Sequence, residues 1–182
     1  MNHVIYIDTE FTDLLKPELL SLGMVTFDGE QHYVELDLAD PASNSTVKNA
    51  SDFVRHCGVL QQWGRVPKSA ASYAQMGQRT ARWLLAQAER FGQPALIAFD
   101  YSADYELLES LLRYADQWEV VREVVRPSNV AELAWRFDGM LGAEAAYEQL
   151  RKRGLERHNA LADAHALRAA CIAATTGKRV TL

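Results

Sequence analysis

Over its first forty residues the chain alternates short apolar blocks with polar turns, the pattern of β-strands rather than helices. Residues 3–8, 19–27 and 33–38 form three such blocks, and Asp28-Gly29-Glu30 is a tight-turn sequence between the last two. They predict an antiparallel meander. Residues 40–49, with Pro41, Ser43, Asn44, Ser45 and Thr46, read as an exposed loop. The period then changes. Residues 69–91 carry Tyr73, Met76, Thr80, Trp83, Leu84 and Ala88 at helical spacing and stop at Gly92 and Pro94, which predicts a long helix. Residues 95–99 are a short apolar strand that runs through Asp100-Tyr101-Ser102 into a helix at 103–114, which Ser102 is placed to cap. Beyond it, 119–125 is strand-like, 130–137 and 143–153 are helical, and 159–176 is an Ala-rich final helix. Strands first, then strands and helices in alternation, predict an α/β fold with a mixed sheet flanked by helices.

Composition narrows the picture. With 182 residues, 48% of them hydrophobic and 24% charged, the chain is expected to be a single globular domain spanning 1–182. A formal net charge of -5 argues against a binder that blankets phosphates with Lys and Arg. It leaves room for an enzyme that meets phosphate through bound cations, because the ligands of such cations add to the negative count. Cys57 and Cys171 stand in no metal-binding spacing and read as reduced, buried small hydrophobes. The N-terminal apolar run has no basic stretch before it and is too short for a signal peptide or membrane span, so a cytoplasmic protein is expected.

Candidate chemistry begins where the first strand ends. Asp8 and Glu10 flank Thr9, and the period of two puts both carboxylates on one side of the strand with Thr9 on the other. Two like charges so held call for a cation or a shared proton, or else they are solvated acids past a strand end. Asp104 falls in the first turn of the helix after the central strand. The helix dipole alone favours an acid there, and that position is also the carboxyl end of a sheet strand, where open α/β sheets gather ligands. Asp163 lies within the core-facing stripe Ala160, Ala164, Leu167, Cys171 and Ala174 of the last helix, with Arg168 marking the solvated side. A buried acid needs a cation, a metal or a segment to cap. His158 precedes that helix on a connection opened by Gly154, whereas His3, His32, His56 and His165 have no comparable context.

Taken together, D-x-E closing the first strand, an acid after the middle strand and H-x4-D on the last helix resemble the DEDDh (RNase H-like) 3'-5' exonuclease superfamily. Asp8-Thr9-Glu10-Phe11-Thr12-Asp13-Leu14 is similar to that family's D-x-E-T-T-G-L, Ser21-Leu22-Gly23-Met24-Val25 to its second strand, and Ala103-Asp104-Tyr105-Glu106-Leu107-Leu108 to its F-D-x-x-F-L. Length, the D-T-E-F start and the closing A-L-A-D-A helix look most like the small bacterial exoribonucleases of mycobacterial type. The chain departs from the pattern at Phe11 and Asp13, and at Phe99 and Asp100, where many members carry His and Asn.

The resemblance implies an RNase H-like mixed sheet, antiparallel meander plus parallel strands, and a hydrolase that releases 5'-mononucleotides. It implies two Mg2+ or Mn2+ ions, which suit hard carboxylate donors and stabilise the attacking and leaving oxygens of an in-line displacement. Asp8 would bridge both ions, Glu10 and Asp163 would ligate one, and Asp104 would hold the other through water. His158 would take the proton of the attacking water, as a neutral imidazole can. The substrate implied is RNA with a single-stranded 3' end, since only unstacked bases thread to such a site. Phe11 is the candidate stacking or wedging residue, with Thr12, acting through its backbone, and Leu14 beside it; Phe11 is equally a core aromatic by type. Arg151, Lys152, Arg153 and Arg157 would hold the phosphate backbone, or simply favour a helix C-terminus. A DNA-directed exonuclease and a non-catalytic nucleic-acid-binding module are the alternatives. A phosphatase of small phosphoesters would need a D-x-D nucleophile or P-loop, which the sequence lacks. Similar enzymes are often homodimers, and no membrane partner is expected.

Overall fold

A computed structural model describes residues 3–56 and 58–182. Its centre is the meander β1 (Val4–Phe11), β2 (Leu19–Thr26) and β3 (Gln31–Leu36), antiparallel throughout. Short β4 (Ala70–Ala71) adds parallel to β3, while β5 (Ala95–Phe99) and β6 (Val125–Asn129) add parallel on the other side of β1. The six strands lie in the order β4-β3-β2-β1-β5-β6, a mixed α/β sheet consistent with an RNase H-like fold.

Eight helices accompany the sheet among the described residues. α1 (Pro41–Lys48), α2 (Asp52–His56), α3 (Tyr73–Phe91) and α4 (Ser102–Tyr114) come first. α5 (Trp118–Val121), α6 (Ala131–Ala134), α7 (Phe137–Arg151) and α8 (Ala160–Thr176) follow. Strand alternation divides β1 between two cores. Ile5 and Ile7 point into the larger one with Leu84 of α3 and Leu108 and Leu111 of α4. Tyr6 points the other way, into a core with Leu167, Ala170 and Cys171 of α8. The same period assigns Thr9 to the α4 side and Asp8 and Glu10 to the α8 side.

Several sequence expectations shift. Residues 40–49 are not a loop: the Asp40 carboxylate accepts the Ala42 N–H at 3.1 Å and Pro41 opens the helix, so the polar residues form an N-capped α1. The strand expected at 119–125 is α5 followed by β6. Val121 and Val125 are buried four residues apart, with 119, 120, 122 and 123 exposed, which is not the alternation of a strand, and Pro127 is tolerated because β6 is an edge strand. β3 begins two residues earlier than its apolar block. The helix expected at 130–137 is the single turn α6, and α7 begins at Phe137, earlier than expected. Ser102 is the first residue of α4 and not its cap, which is Tyr101. Arg168 does not mark a solvated side: it is 8% exposed and donates from Nε to the Phe27 carbonyl at 2.9 Å, because α8 is covered by the sheet and by α7. Cys171 is a buried free thiol, and Cys57 lies outside the described residues.

Close packing of α8 on the sheet depends on Gly23 of β2. A Cβ there would lie 2.2 Å from the Ala160 carbonyl oxygen, so only glycine lets the first turn of α8 approach. No described helix is long and apolar enough to cross a membrane.

Candidate active site

The apposition of β1, β2 and α8 builds a cluster of acids at one end of the sheet. Asp8 and Glu10 pair with Gly23 and Ser21 of β2, and the pairing register shifts immediately after Glu10, so the strand breaks where its acids end. Opposite them Asn159 caps α8, its side-chain oxygen accepting the N–H groups of Leu161 and Ala162 at 3.2 Å. That cap fixes the first turn of α8, which carries Asp163.

Asp163 accepts hydrogen bonds on both of its oxygens. One oxygen accepts the Tyr147 hydroxyl, from α7, and the other accepts the His158 backbone N–H at 3.0 Å. It therefore caps the turn before its own helix while facing the other acids. His158 is held there with a φ of 64°, a left-handed conformation that costs a non-glycine residue about 1 kcal/mol or more and persists only where surroundings enforce it. Glu10, His158 and Asp163 each offer a ligand atom within 4.8 Å of the others.

Asp104 reaches the cluster from the other face of the sheet. Its Oδ1 accepts both the backbone N–H (3.0 Å) and the hydroxyl (2.7 Å) of Thr9, leaving Oδ2 outside these bonds. Thr9, the residue between the first two acids, thus positions the third. No described residue donates a hydrogen bond to the Asp8 carboxylate, and burial drives its pKa well above the carboxylate range, with the charges of Asp163, Asp104, Glu10 and Asp100 adding to the push. The same desolvation, with the Asp163 charge next, lifts Glu10 to about 9. Asp104 rises to about 7, mainly by burial and against the two bonds from Thr9. Asp163 is also raised by burial, though its bonds from Tyr147 and His158 oppose the shift. All four carboxylates are thus held where a shared proton or an added cation would relieve them.

Two of the four, Asp8 and Asp163, open onto a cleft of about 340 Å³ that is lined also by Asp100, Trp135, Tyr147 and His158, among others. Two of these residues, Tyr147 and Trp135, carry no signal in the sequence pattern, and a third, Asp100, carries only a weak one. Tyr147 stands among the apolar positions of α7, and its partner lies 16 residues away. Trp135 sits in the short connection between α6 and α7. Asp100, which stands out in sequence only as a departure from the family's pattern, directly follows β5 at the carboxyl end of the sheet, so its position on a strand end was the available clue. Burial raises its pKa as well.

The remaining expected residues scatter. Phe11 is partly buried and stacks on Tyr101, ring centroids 6.3 Å apart. Thr12 is 2% exposed and fully engaged in the turn: its N–H donates to the Glu18 carbonyl, its carbonyl accepts from Ser51, and its hydroxyl accepts from the Glu18 N–H. Leu14 is 75% exposed on that turn, which Asp13 stabilises by accepting the N–H groups of Leu15 and Lys16. Of the four basic residues, Arg157 alone lines the cleft, lying over the Tyr147 ring at 4.1 Å and paired with Glu144. Arg153 is turned to the Leu182 carbonyl.

The donor set fits oxygen-seeking divalent cations. Carboxylates dominate it, no cysteine is present, and Asp8 lacks the protein donors that would otherwise neutralise it. No protein-family model matches the chain, and no curated protein matches it either.

Proposed function

We propose that this chain is a metal-dependent 3'-5' exonuclease of the DEDDh type, an exoribonuclease that trims single-stranded 3' ends to 5'-mononucleotides. The observation that carries this reading is the convergence of Asp8, Glu10, Asp104 and Asp163 with His158, all raised in pKa or strained in backbone, from three separate parts of the chain. A fold has no structural need to gather four mutually repelling carboxylates, and a module that only binds nucleic acid would be weakened by them. The resemblance of the motifs adds support.

In this reading Asp8, Glu10, Asp104 and Asp163 would hold the divalent cations. Bound there, Mg2+ or Mn2+ would lower the pKa of the attacking water and offset charge on the scissile phosphate. The protein's own part is positional. Thr9 fixes Asp104, Tyr147 and the His158 N–H fix Asp163, and the break after Glu10 leaves both β1 acids at the strand's edge. His158 accepts the water proton from its strained turn. Arg157 is the cleft-lining cation that can meet a phosphate once it leaves Glu144.

The test is direct. Purified protein with Mg2+ should shorten single-stranded RNA from its 3' end, and Asp8→Asn or Asp163→Asn should abolish release while leaving the circular-dichroism spectrum unchanged. Side-by-side single-stranded RNA, single-stranded DNA and duplexes with 3' overhangs would rank the substrates. Tight binding without shortening under any divalent metal would instead favour a non-catalytic module.

A further inference from the structure

We infer that Trp135 is the platform on which the base of the terminal nucleotide stacks; this rests on the nuclease reading of the cleft. Trp135 is 66% exposed, although it lines the same cleft as Asp8, His158 and Asp163. Phe137, Met140 and Leu141 just after it are exposed too, so the exposed apolar side chains at the start of α7 are grouped rather than scattered singly, the pattern that marks a binding surface. The Trp135 side chain also approaches the Asp100 carboxylate, which favours that acid's charged form. Met140, 45% exposed and lining the cleft as well, extends the apolar floor beside it.

The lining of the cleft brings together two kinds of surface: Asp8, Asp163 and Arg157, suited to cations and a phosphate, and Trp135, Met140, Ala134 and Ala143, suited to a flat apolar ring. At about 340 Å³ the space lies at the small end of ligand pockets, commensurate with one nucleotide unit rather than a run of them. In so small a space, a phosphate met by Arg157 and by cations on Asp8 and Asp163 leaves the apolar lining, with Trp135 its exposed aromatic, for the base of that same nucleotide. Stacking tolerates any base, so this wall gives affinity for a single-stranded end without demanding a sequence.

Trp135 is the most exposed of the four tryptophans, so its fluorescence reports the contact without turnover. A 5'-mononucleotide, the reaction's product, should quench the protein's emission, whereas ribose 5-phosphate should not. In Trp135→Ala the quench should disappear and KM for single-stranded RNA should rise about tenfold with kcat little changed, while Trp135→Phe should keep KM within about threefold of wild type. Matching melting curves would confirm that both variants fold. Unchanged KM in Trp135→Ala beside an active wild type would overturn the inference and leave the nuclease reading standing. If the wild type releases no nucleotide, the nuclease reading fails, and the quench alone then decides: selective quenching by the base-bearing ligand supports the platform, and its absence overturns it.

Discussion

The rings of Phe53 and His158 meet edge to face, their centroids 5.1 Å apart and their planes at 87°. Phe53 is 51% exposed on α2, and Ser51 just before that helix donates its N–H to the Thr12 carbonyl at 2.9 Å. The segment that touches the proposed base is thus tied to the end of the strand that carries the first two acids. Phe53→Ala should lower kcat roughly three- to tenfold with KM almost unchanged, because an aromatic pair contributes about 0.5–1.5 kcal/mol to holding the imidazole. Phe53→Tyr should restore most of the rate. Steady-state kinetics on single-stranded RNA would separate the two parameters, and a drop confined to KM would assign Phe53 to substrate binding instead.

Tyr147 plays a comparable part for Asp163. Tyr147→Phe removes the hydroxyl that donates to one carboxylate oxygen while keeping the ring beneath Arg157. Loss of such an orienting bond typically costs about 10–100-fold in metal affinity or activity. Calorimetric titration with Mn2+ should show the weakening directly, independent of turnover. Unaltered Mn2+ affinity would mean that Asp163 is positioned without Tyr147.

The raised acids make stability depend on pH in a fixed direction. Glu10 at about 9 and Asp104 at about 7 keep protons in the folded metal-free protein that the unfolded chain has released above the ordinary carboxylate range. Their contribution is therefore complete below about pH 4 and is lost as pH rises through 7 and toward 9. Added Mg2+ should reverse that loss, raising Tm at pH 8 by about 5–10 °C at a hundredfold excess over its Kd, and by much less at pH 5. Thermal melts in chelator and in Mg2+ across this range would test it; equal shifts at both pH values would contradict the coupling.

Gly23→Ala tests how the site is assembled rather than what it does. The added methyl would meet the Ala160 carbonyl at 2.2 Å, and neither the β2 backbone nor the first turn of α8 can yield cheaply. Overpacking of this kind costs about 1–3 kcal/mol, and here it should also push Asp163 away from Asp8 and Glu10. A lower Tm together with a lost Mg2+ response is expected, and a full Mg2+ response would show that the helix can shift without opening the cluster.

Much of this arrangement was legible before the fold was seen, for identifiable reasons. The strand period put Asp8 and Glu10 on one side of β1 and Thr9 on the other, and the two cores meet β1 in that way. Asp163, on the stripe of α8 that faces the sheet, is half-buried, whereas Arg168, expected on a solvated side, is buried, because a helix covered on nearly all sides has no solvated face for periodicity to reveal. The loop expected at 40–49 failed because Asp40 and Pro41 make a helix start from residues that are equally common in turns. Tyr147 and Trp135 could not be read at all: each gains its place through contact between elements far apart in sequence, which no local pattern encodes.

Whether the four carboxylates and His158 form a working nuclease centre is decided by incubating the pure protein with 5'-labelled single-stranded RNA and Mg2+, beside Asp163→Asn. A ladder of products shortened from the 3' end is expected, with 5'-mononucleotides released and none formed by the variant. An unshortened substrate in both Mg2+ and Mn2+, or equal shortening by the variant, would contradict the nuclease reading.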